Sequence, residues 1–246
     1  MITVPYRLRR FFQWMLGKPN EQPFIRGIDV FKELSNAYPK WTPRVIFDVG
    51  ANVGQSCLHY ARLFPGVSIH AFEPGESAYA TLAAACAVHP QIKVHNIGLG
   101  DKSAVARLSA KSASDQNTIV QSSADSDINT TTIQLATLDE FCKDKQIESI
   151  DYLKIDTEGY DLNVLRGAVN LLRKSAISVI EVEAGINPDN TLHVPFHQFC
   201  AYLEPMNYRI FGIYEQMHEW PTRQPHLRRC NPVFVSPNQL NLSGSK

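Results

Sequence analysis

Residues 45–54 read Val-Ile-Phe-Asp-Val-Gly-Ala-Asn-Val-Gly, and this stretch decides the fold. Its apolar, β-rich start indicates a buried strand, while Gly50 and Gly54 indicate a tight loop. An amphipathic segment with apolar residues at helical spacing follows and predicts a helix. Strand, glycine-rich loop and helix in this order are typical of the site for a nucleotide-like cofactor in an open α/β sheet.

A second signal lies downstream, where the apolar run 67–72 ends in Glu73. A carboxylate at the end of the second strand can accept hydrogen bonds from the two hydroxyls of a ribose. The glycine loop and this acidic residue together therefore predict a site for a nucleoside.

Length and composition exclude several classes of protein. The 246 residues fit one large domain with additions. With 24 Lys and Arg against 24 Asp and Glu, no overall field favours nucleic acid as a partner. No run of 18 apolar residues and no apolar core of a secretory signal is present. Five widely spaced cysteines without a Cys-x-x-Cys pair are typical of reduced thiols, so we expect a cytoplasmic protein.

Residues 1–40 are predicted to form an N-terminal helical extension. Basic residues mix with aromatic and aliphatic ones over about one helix length, and such a helix can lie on anionic lipid. Packing against the domain or in a homo-oligomer is the more common use of such a segment, and we favour it over membrane contact. The main domain is predicted over 41–236, followed by a polar, frayed tail over 237–246.

Strands and helices alternate along the main domain. The predicted strands cover 44–49, 67–72, 92–97, 150–155 and 177–182. Apolar residues at helical spacing lie between them, which predicts a doubly wound, mostly parallel, Rossmann-like sheet with helices on both faces.

The interval 100–148 interrupts this alternation. Short apolar segments at 105–108 and 132–135 predict an inserted β-hairpin, and the polar tract at 110–130 is either a lid over a cleft or a solvated surface loop. Near the C-terminus, 208–214 and 232–235 predict an antiparallel pair of strands at the sheet edge.

The glycine loop does not match a site for a diphosphate. Its spacing is Gly-x-x-x-Gly rather than Gly-x-Gly-x-x-Gly, and Asp48 directly before it would repel a pyrophosphate. The same carboxylate would attract a ligand with an ammonium group. S-adenosylmethionine carries such a group, a cationic sulfonium and a ribose, but no phosphate.

Four stretches carry a resemblance to a known family: Phe-Asp-Val-Gly-Ala-Asn-Val-Gly-Gln at 47–55, Ala-Phe-Glu-Pro at 71–74, Ile-Gly-Leu-Gly-Asp at 97–101 and Lys-Ile-Asp-Thr-Glu-Gly at 154–159. In this order and spacing they resemble the class I methyltransferases, and within them the FkbM family of O-methyltransferases. The similarity covers roughly residues 44–185.

The resemblance implies S-adenosylmethionine as the cofactor and a position for each part of it. The residues implied to frame the methionine part are Asp48, Gly50, Asn52 and Gly54. Glu73 is implied at the ribose, and the loop from Gly98 to Asp101 near the adenine. Ala51 and Pro74 are predicted to bind the cofactor as well. From the residues alone, Gly100-Asp101 could equally be a plain turn.

The cluster Lys154, Asp156 and Glu158 ends the fourth strand and supplies candidate catalytic residues. Period-two alternation places Lys154 and Asp156 on one side of that strand, near the reactive end of the cofactor. Either carboxylate could instead cap the helix that begins near residue 161.

Glu181 and Glu183 end the fifth strand and are predicted to point toward Asp156. Three converging carboxylates could bind Mg²⁺, which prefers oxygen ligands. Without a metal, one of these acids (Glu181 among them) or a nearby histidine would act as the base.

The predicted function is the transfer of a methyl group to a hydroxyl oxygen of a small molecule or carbohydrate. The resemblance suggests a sugar or a secondary metabolite as the acceptor. An NAD-dependent oxidoreductase and a non-catalytic interaction module that keeps the cofactor fold are the alternatives.

Overall fold

The computed structural model describes residues 27–110, 117–120 and 130–242. The basic part of the N-terminal extension and most of the polar tract at 110–130 therefore lie outside the described residues, and so does the end of the tail. Both alternatives for the polar tract, a lid or a surface loop, therefore stay open, and the preference for packing over membrane contact of the N-terminal helix stays a prediction.

Five parallel strands form the centre of the main sheet: β1 (Val45–Val49), β2 (Ser68–Phe72), β3 (Ile92–His95), β8 (Ile150–Ile155) and β9 (Ile177–Val182). They match the predicted strands to within two residues at each end. Their spatial order is β3-β2-β1-β8-β9, so the direction of winding reverses between β1 and β8. Ligands of open α/β sheets bind at the carboxyl ends of the strands, beside such a reversal.

Helices cover both faces of this sheet. They are α1 (Val30–Ala37), α2 (Gln55–Leu63), α3 (Glu76–Cys86), α4 (Leu138–Asp144), α5 (Asp161–Arg166), α6 (Val169–Arg173), α7 (Phe196–Leu203) and α8 (Pro237–Leu242). Alternate residues of each strand enter two separate cores: Phe47 and Leu153 belong to one, and Ile46 and Tyr152 to the other. The predicted doubly wound α/β class is confirmed.

A smaller sheet fills the interval that interrupts the alternation. It contains β4 (Gly98–Leu99), β5 (Ala104–Ala110), β6 (Asn117–Val120) and β7 (Thr130–Ala136), in the order β4-β7-β5-β6. Strands β5 and β7 are antiparallel, as expected for the inserted hairpin, and β4 extends the insertion back to the end of β3.

The C-terminal strands complete the main sheet. Strand β10 (Ala184–Gly185) and β11 (Arg209–Glu219) both pair with β12 (Gln224–Val235), which lies antiparallel to β9. The predicted frayed tail is wrong for residues 237–242, because they form α8, and Leu240 is only 2% exposed. The buried Leu240 belongs to one of the two cores and packs this helix against it. Among the described residues, no helix is both long and apolar enough to cross a bilayer.

The histidines of β2 and β3 give the fold a dependence on pH. His70 Nδ1 lies 3.1 Å from His95 Nε2, and the two rings stack on one another and pack edge-on against Phe141. Burial is the main cause that lowers the pKa of each histidine to about 4, with nearby positive charge adding to it.

We expect this histidine pair to destabilise the fold in acid. Because their folded-state pKa lies below the unfolded value, the unfolded state binds more protons between pH 6.5 and 4, and stability falls as the pH falls through that window. Urea unfolding between about pH 7.5 and 4 should show this loss in the native protein and a flatter profile in the His70→Phe/His95→Phe variant. Parallel pH profiles for the two proteins would contradict it.

Candidate active site

A cavity of about 180 Å³ lies at the carboxyl ends of β1, β2 and β8. Of the nine residues predicted to bind the cofactor, six line it: Gly50, Ala51, Asn52, Glu73, Pro74 and Gly98. Lys154, Asp156 and Glu158 of the predicted catalytic set line it as well. The structure therefore brings these predicted cofactor-binding and catalytic residues together at the point where the strand order reverses.

The glycine loop after β1 is fixed by contacts of its own backbone. The amides of Gly50 and Ala51 both donate to the carbonyl of Phe72, each at 3.0 Å. Gly50 has a φ of +84°, and a Cβ there would overlap the carbonyl oxygen of Asp156. Only glycine permits this close approach of two strand ends, which brings the loop beside the residues after β8.

Glu73 organises the loop from the other side. Its carboxylate accepts hydrogen bonds from the amide of Asn52 at 3.0 Å and from the amide of Gly75 at 2.8 Å. Burial raises the pKa of Glu73, while these two backbone hydrogen bonds oppose the rise. Each oxygen retains a free lone pair, so the carboxylate can still accept hydrogen bonds from a ligand on the cavity side.

Lys154 and Asp156 form an ion pair at the end of β8, with Nζ and Oδ2 2.9 Å apart. Burial on its own would raise the pKa of Asp156, but Lys154 holds the pKa below its usual value. Burial on its own would lower the pKa of Lys154, but Asp156 and Asp48 raise the pKa well above its usual value. Both groups are therefore charged near neutral pH.

Glu158 follows in a strained turn, where it and Gly159 have positive φ values of 51° and 98°. Burial raises the pKa of Glu158, and the nearby Glu183 and Asp156 raise it further. His193 supports this end of the cavity: its Nε2 lies 2.7 Å from Glu183 and 3.9 Å from Glu158. The histidine thus connects the turn after β8 with the end of β9.

Three predicted cofactor residues do not line the cavity. Asp48 is fully buried on the α2 side of the sheet, and burial is the main cause that raises its pKa to about 6. Gly54 packs against Leu82, where it begins α2. Asp101 is exposed in the bend after β4, in agreement with the plain-turn alternative. Asp48 does not line the cavity because its side chain lies on the α2 side of β1.

The three predicted metal ligands do not converge. Glu181 accepts hydrogen bonds from Tyr152 and Asn231, Glu183 pairs with His193 and Arg229, and Asp156 pairs with Lys154. Within the described residues, the one group of three ligand atoms close enough to share an ion belongs to Glu158, Glu183 and His193. Arg229 already neutralises Glu183 there, and an imidazole is a poor ligand for Mg²⁺, so this group does not fit that cation.

Sequence reasoning missed several residues of the site. Gln55 and Ser56 line the cavity at the first turn of α2, a position that the loop-to-helix pattern could have indicated. His193 had no local signal, because it reaches the site through contacts with Glu183 and Glu158, which lie 10 and 35 residues earlier in the chain. Its neighbour Asn190, which bonds its other ring nitrogen, lies in the same irregular segment.

The chain thus combines a doubly wound α/β sheet with a polar cavity at its topological switch point. A family model described as the methyltransferase FkbM domain matches residues 48–210. This match covers well over half of the chain, which therefore belongs to the FkbM methyltransferase family.

Two curated relatives and two solved structures are similar to this chain. The hexuronic acid methyltransferase AglP of Haloferax volcanii is 25% identical over 146 residues, which is 58% of each chain. The 31-O-demethyl-FK506 methyltransferase FkbM of Streptomyces tacrolimicus is 38% identical over 65 residues, 26% of this chain and 25% of that protein. The matches thus span about half and a quarter of the lengths of these relatives.

The solved structures are more distant. TrmK of M. capricolum in complex with S-adenosyl-homocysteine has a TM-score of 0.47 at 14% identity. The match covers 85% of this chain and 70% of the TrmK chain. Fibrillarin of Aeropyrum pernix in complex with S-adenosyl-L-methionine has a TM-score of 0.47 at 13% identity. The match covers 78% of this chain and 66% of the fibrillarin chain. The family assignment rests on the sequence match alone.

The contact of Gly50 with the residues after β8 predicts a specific loss of stability. An alanine at a left-handed position costs about 1–2 kcal/mol. Gly50→Ala should cost about a further 1–3 kcal/mol, because its Cβ must displace the carbonyl of Asp156. Gly66→Ala is the matched control, since Gly66 has a φ of +89° but no other atom within 4 Å of the position that its Cβ would take. Equal free energies of unfolding for the two variants, measured in urea, would contradict this role.

Proposed function

We propose that this protein is an S-adenosylmethionine-dependent O-methyltransferase that acts on a hydroxyl group of a sugar or secondary metabolite. The observation that carries the proposal is the position of Glu73 opposite the Gly50 loop in one cavity. A carboxylate at the end of β2 suits the hydroxyls of a ribose, and a glycine loop admits a ligand close to the backbone. The family of the chain supports the same assignment.

The charges of the cavity support a cofactor that is cationic and free of phosphate. Three carboxylates line it, those of Glu73, Asp156 and Glu158, against the single ammonium of Lys154. A dinucleotide would place its pyrophosphate against these acids. An oxidoreductase that uses NAD is therefore disfavoured by the same charges that favour a sulfonium and an α-ammonium group.

The residues after β8 suit the chemistry of the transfer. When bound, the cofactor supplies a methyl group on a cationic sulfur, and a carbon–oxygen bond forms as the carbon–sulfur bond breaks. Asp156 is kept ionised by Lys154 and so can accept the proton of the acceptor hydroxyl. Lys154 stays protonated and can stabilise negative charge that develops on that oxygen. Holding the acceptor in line can contribute on the order of 7–11 kcal/mol.

Glu73→Gln tests the cofactor assignment. The substitution removes charge-assisted hydrogen bonds worth about 1.5–3 kcal/mol each, so the affinity for S-adenosylhomocysteine should fall about 10- to 100-fold. Calorimetric titration measures it, and Glu76→Gln at the exposed start of α3 is the control that should bind as the native protein does. A native protein without measurable affinity for S-adenosylhomocysteine would refute the proposed function. Unchanged affinity in Glu73→Gln would refute the role of this residue.

We propose in addition that no magnesium ion takes part, because each predicted ligand already has a donor or a cation as its partner. Protein dialysed against EDTA should give no heat of binding when titrated with up to about 1 mM MgCl₂. Its affinity for S-adenosylhomocysteine should be the same with and without the metal. Stoichiometric binding that disappears in Glu183→Gln would instead establish a metal site beside β9.

A further inference from the structure

A second cavity of about 830 Å³ adjoins the first, between α1 and α2. Gln55, Ser56 and Lys154 line both cavities, so the two meet at the ion pair of Lys154 and Asp156. Methyl transfer requires the acceptor oxygen to lie in line with the methyl carbon and the sulfur. An acceptor must therefore enter a space that is continuous with the cofactor cavity, as this cleft is.

The floor of the cleft rests on a polar network built from four strands, β8, β9, β11 and β12. Glu181 of β9 accepts hydrogen bonds from the Tyr152 hydroxyl and from Asn231 Nδ2, the latter at 3.1 Å. The same amide of Asn231 donates to Glu215 at 3.2 Å. Glu215 reaches this position because β11 bulges there, with a φ of +44° at this residue. The network fixes two carboxylates side by side, with lone pairs that a ligand can use.

The wall of the cleft is aromatic and held in place. Phe31 of α1 packs against Tyr60, Phe64 and Tyr152, with ring centroids 4.8 to 5.5 Å apart. Glu33 of the same helix accepts a hydrogen bond from the Tyr214 hydroxyl at 3.0 Å, which ties α1 to β11. An aromatic wall beside a floor of carboxylates suits a ring with apolar faces and hydroxyl edges.

The charges of the cleft favour an acceptor without negative charge. The acidic residues that line the cleft are Asp29, Glu181 and Glu215, and the lysines that line it are Lys32 and Lys154. His59 lines the cleft as well. Lys154 is already paired with Asp156. The other lysine of the lining, Lys32, is exposed on α1. Acids therefore outnumber the one lysine without a carboxylate partner, and Glu181 and Glu215 can accept hydrogen bonds from hydroxyl groups.

We propose that this cleft is the acceptor site and that it binds an uncharged polyhydroxylated ring, such as a neutral hexose, rather than a uronic acid. The inference rests on the proposed function, and it adds the location and the charge of the acceptor. Glu181 and Glu215 position the ring, and the reacting hydroxyl lies at the Lys154–Asp156 pair.

Two substitutions on α1 test this site without touching the cofactor cavity. Ser35 is exposed and lines the cleft, so Ser35→Trp should fill it. Asn36 is the next exposed residue of the helix and does not line the cleft, so Asn36→Trp is the matched control. Each protein is saturated with S-adenosylhomocysteine, and saturation-transfer NMR measures binding of methyl β-D-glucopyranoside and of methyl β-D-glucuronopyranoside.

The native protein and Asn36→Trp should bind the neutral glycoside at least tenfold more tightly than the uronide. Ser35→Trp should lose at least tenfold in affinity for the neutral glycoside while its affinity for S-adenosylhomocysteine, measured by calorimetry, changes less than twofold. The proposal is overturned if the native complex binds no neutral glycoside, if Ser35→Trp binds it normally, or if the uronide binds as tightly. A native protein that fails to bind S-adenosylhomocysteine overturns the proposed function itself, so the two failures are distinguishable.

Discussion

The close approach of Gly50 to the carbonyl of Asp156 is the constraint on which the rest of the site depends. Strands β1 and β8 are neighbours in the sheet although about a hundred residues separate them, and the winding reverses between them. At this reversal the loop after β1 and the turn after β8 can meet without a helix between them. The absence of a Cβ at Gly50 lets the two backbones touch, and the same loop is held to β2 through Phe72 and Glu73. Three strand ends thereby form one small polar cavity.

The balance of charge in this region is set by burial as much as by composition. Lys154 is surrounded by carboxylates, and its pairing with Asp156 keeps both groups ionised. Asp48 lies behind the loop, fully buried, with a pKa raised to about 6 mainly by burial. It therefore adds negative charge to the region only above that pH. The carboxylates that line the cavity itself are those of Glu73, Asp156 and Glu158.

The sequence predicted the strands well because each is short, apolar and bounded by glycine or acidic residues. It also predicted the positions of Glu73 and Asp156 at the cavity, since the end of a strand follows directly from its pattern. Their roles stay predictions. The sequence did not predict that Asp48 is buried away from the cavity lining, because the side of the strand on which it lies depends on which helix packs there. It failed also for the metal set: Glu181 and Glu183 are two residues apart, yet their partners Asn231 and Arg229 come from β12, which no local pattern specifies. Long-range pairing of β11 with β12 likewise places Glu215 in the second cavity, where the buried Asn231 donates a hydrogen bond to it.

A crystal structure of the protein with S-adenosylhomocysteine tests the central claim most directly. The account predicts that the ligand occupies the cavity at the ends of β1, β2 and β8. Its ribose hydroxyls should lie within hydrogen-bonding distance of the Glu73 carboxylate, and the ligand should contact the backbone at Gly50. Electron density for the ligand at any other surface, or a ribose turned away from Glu73, would contradict it.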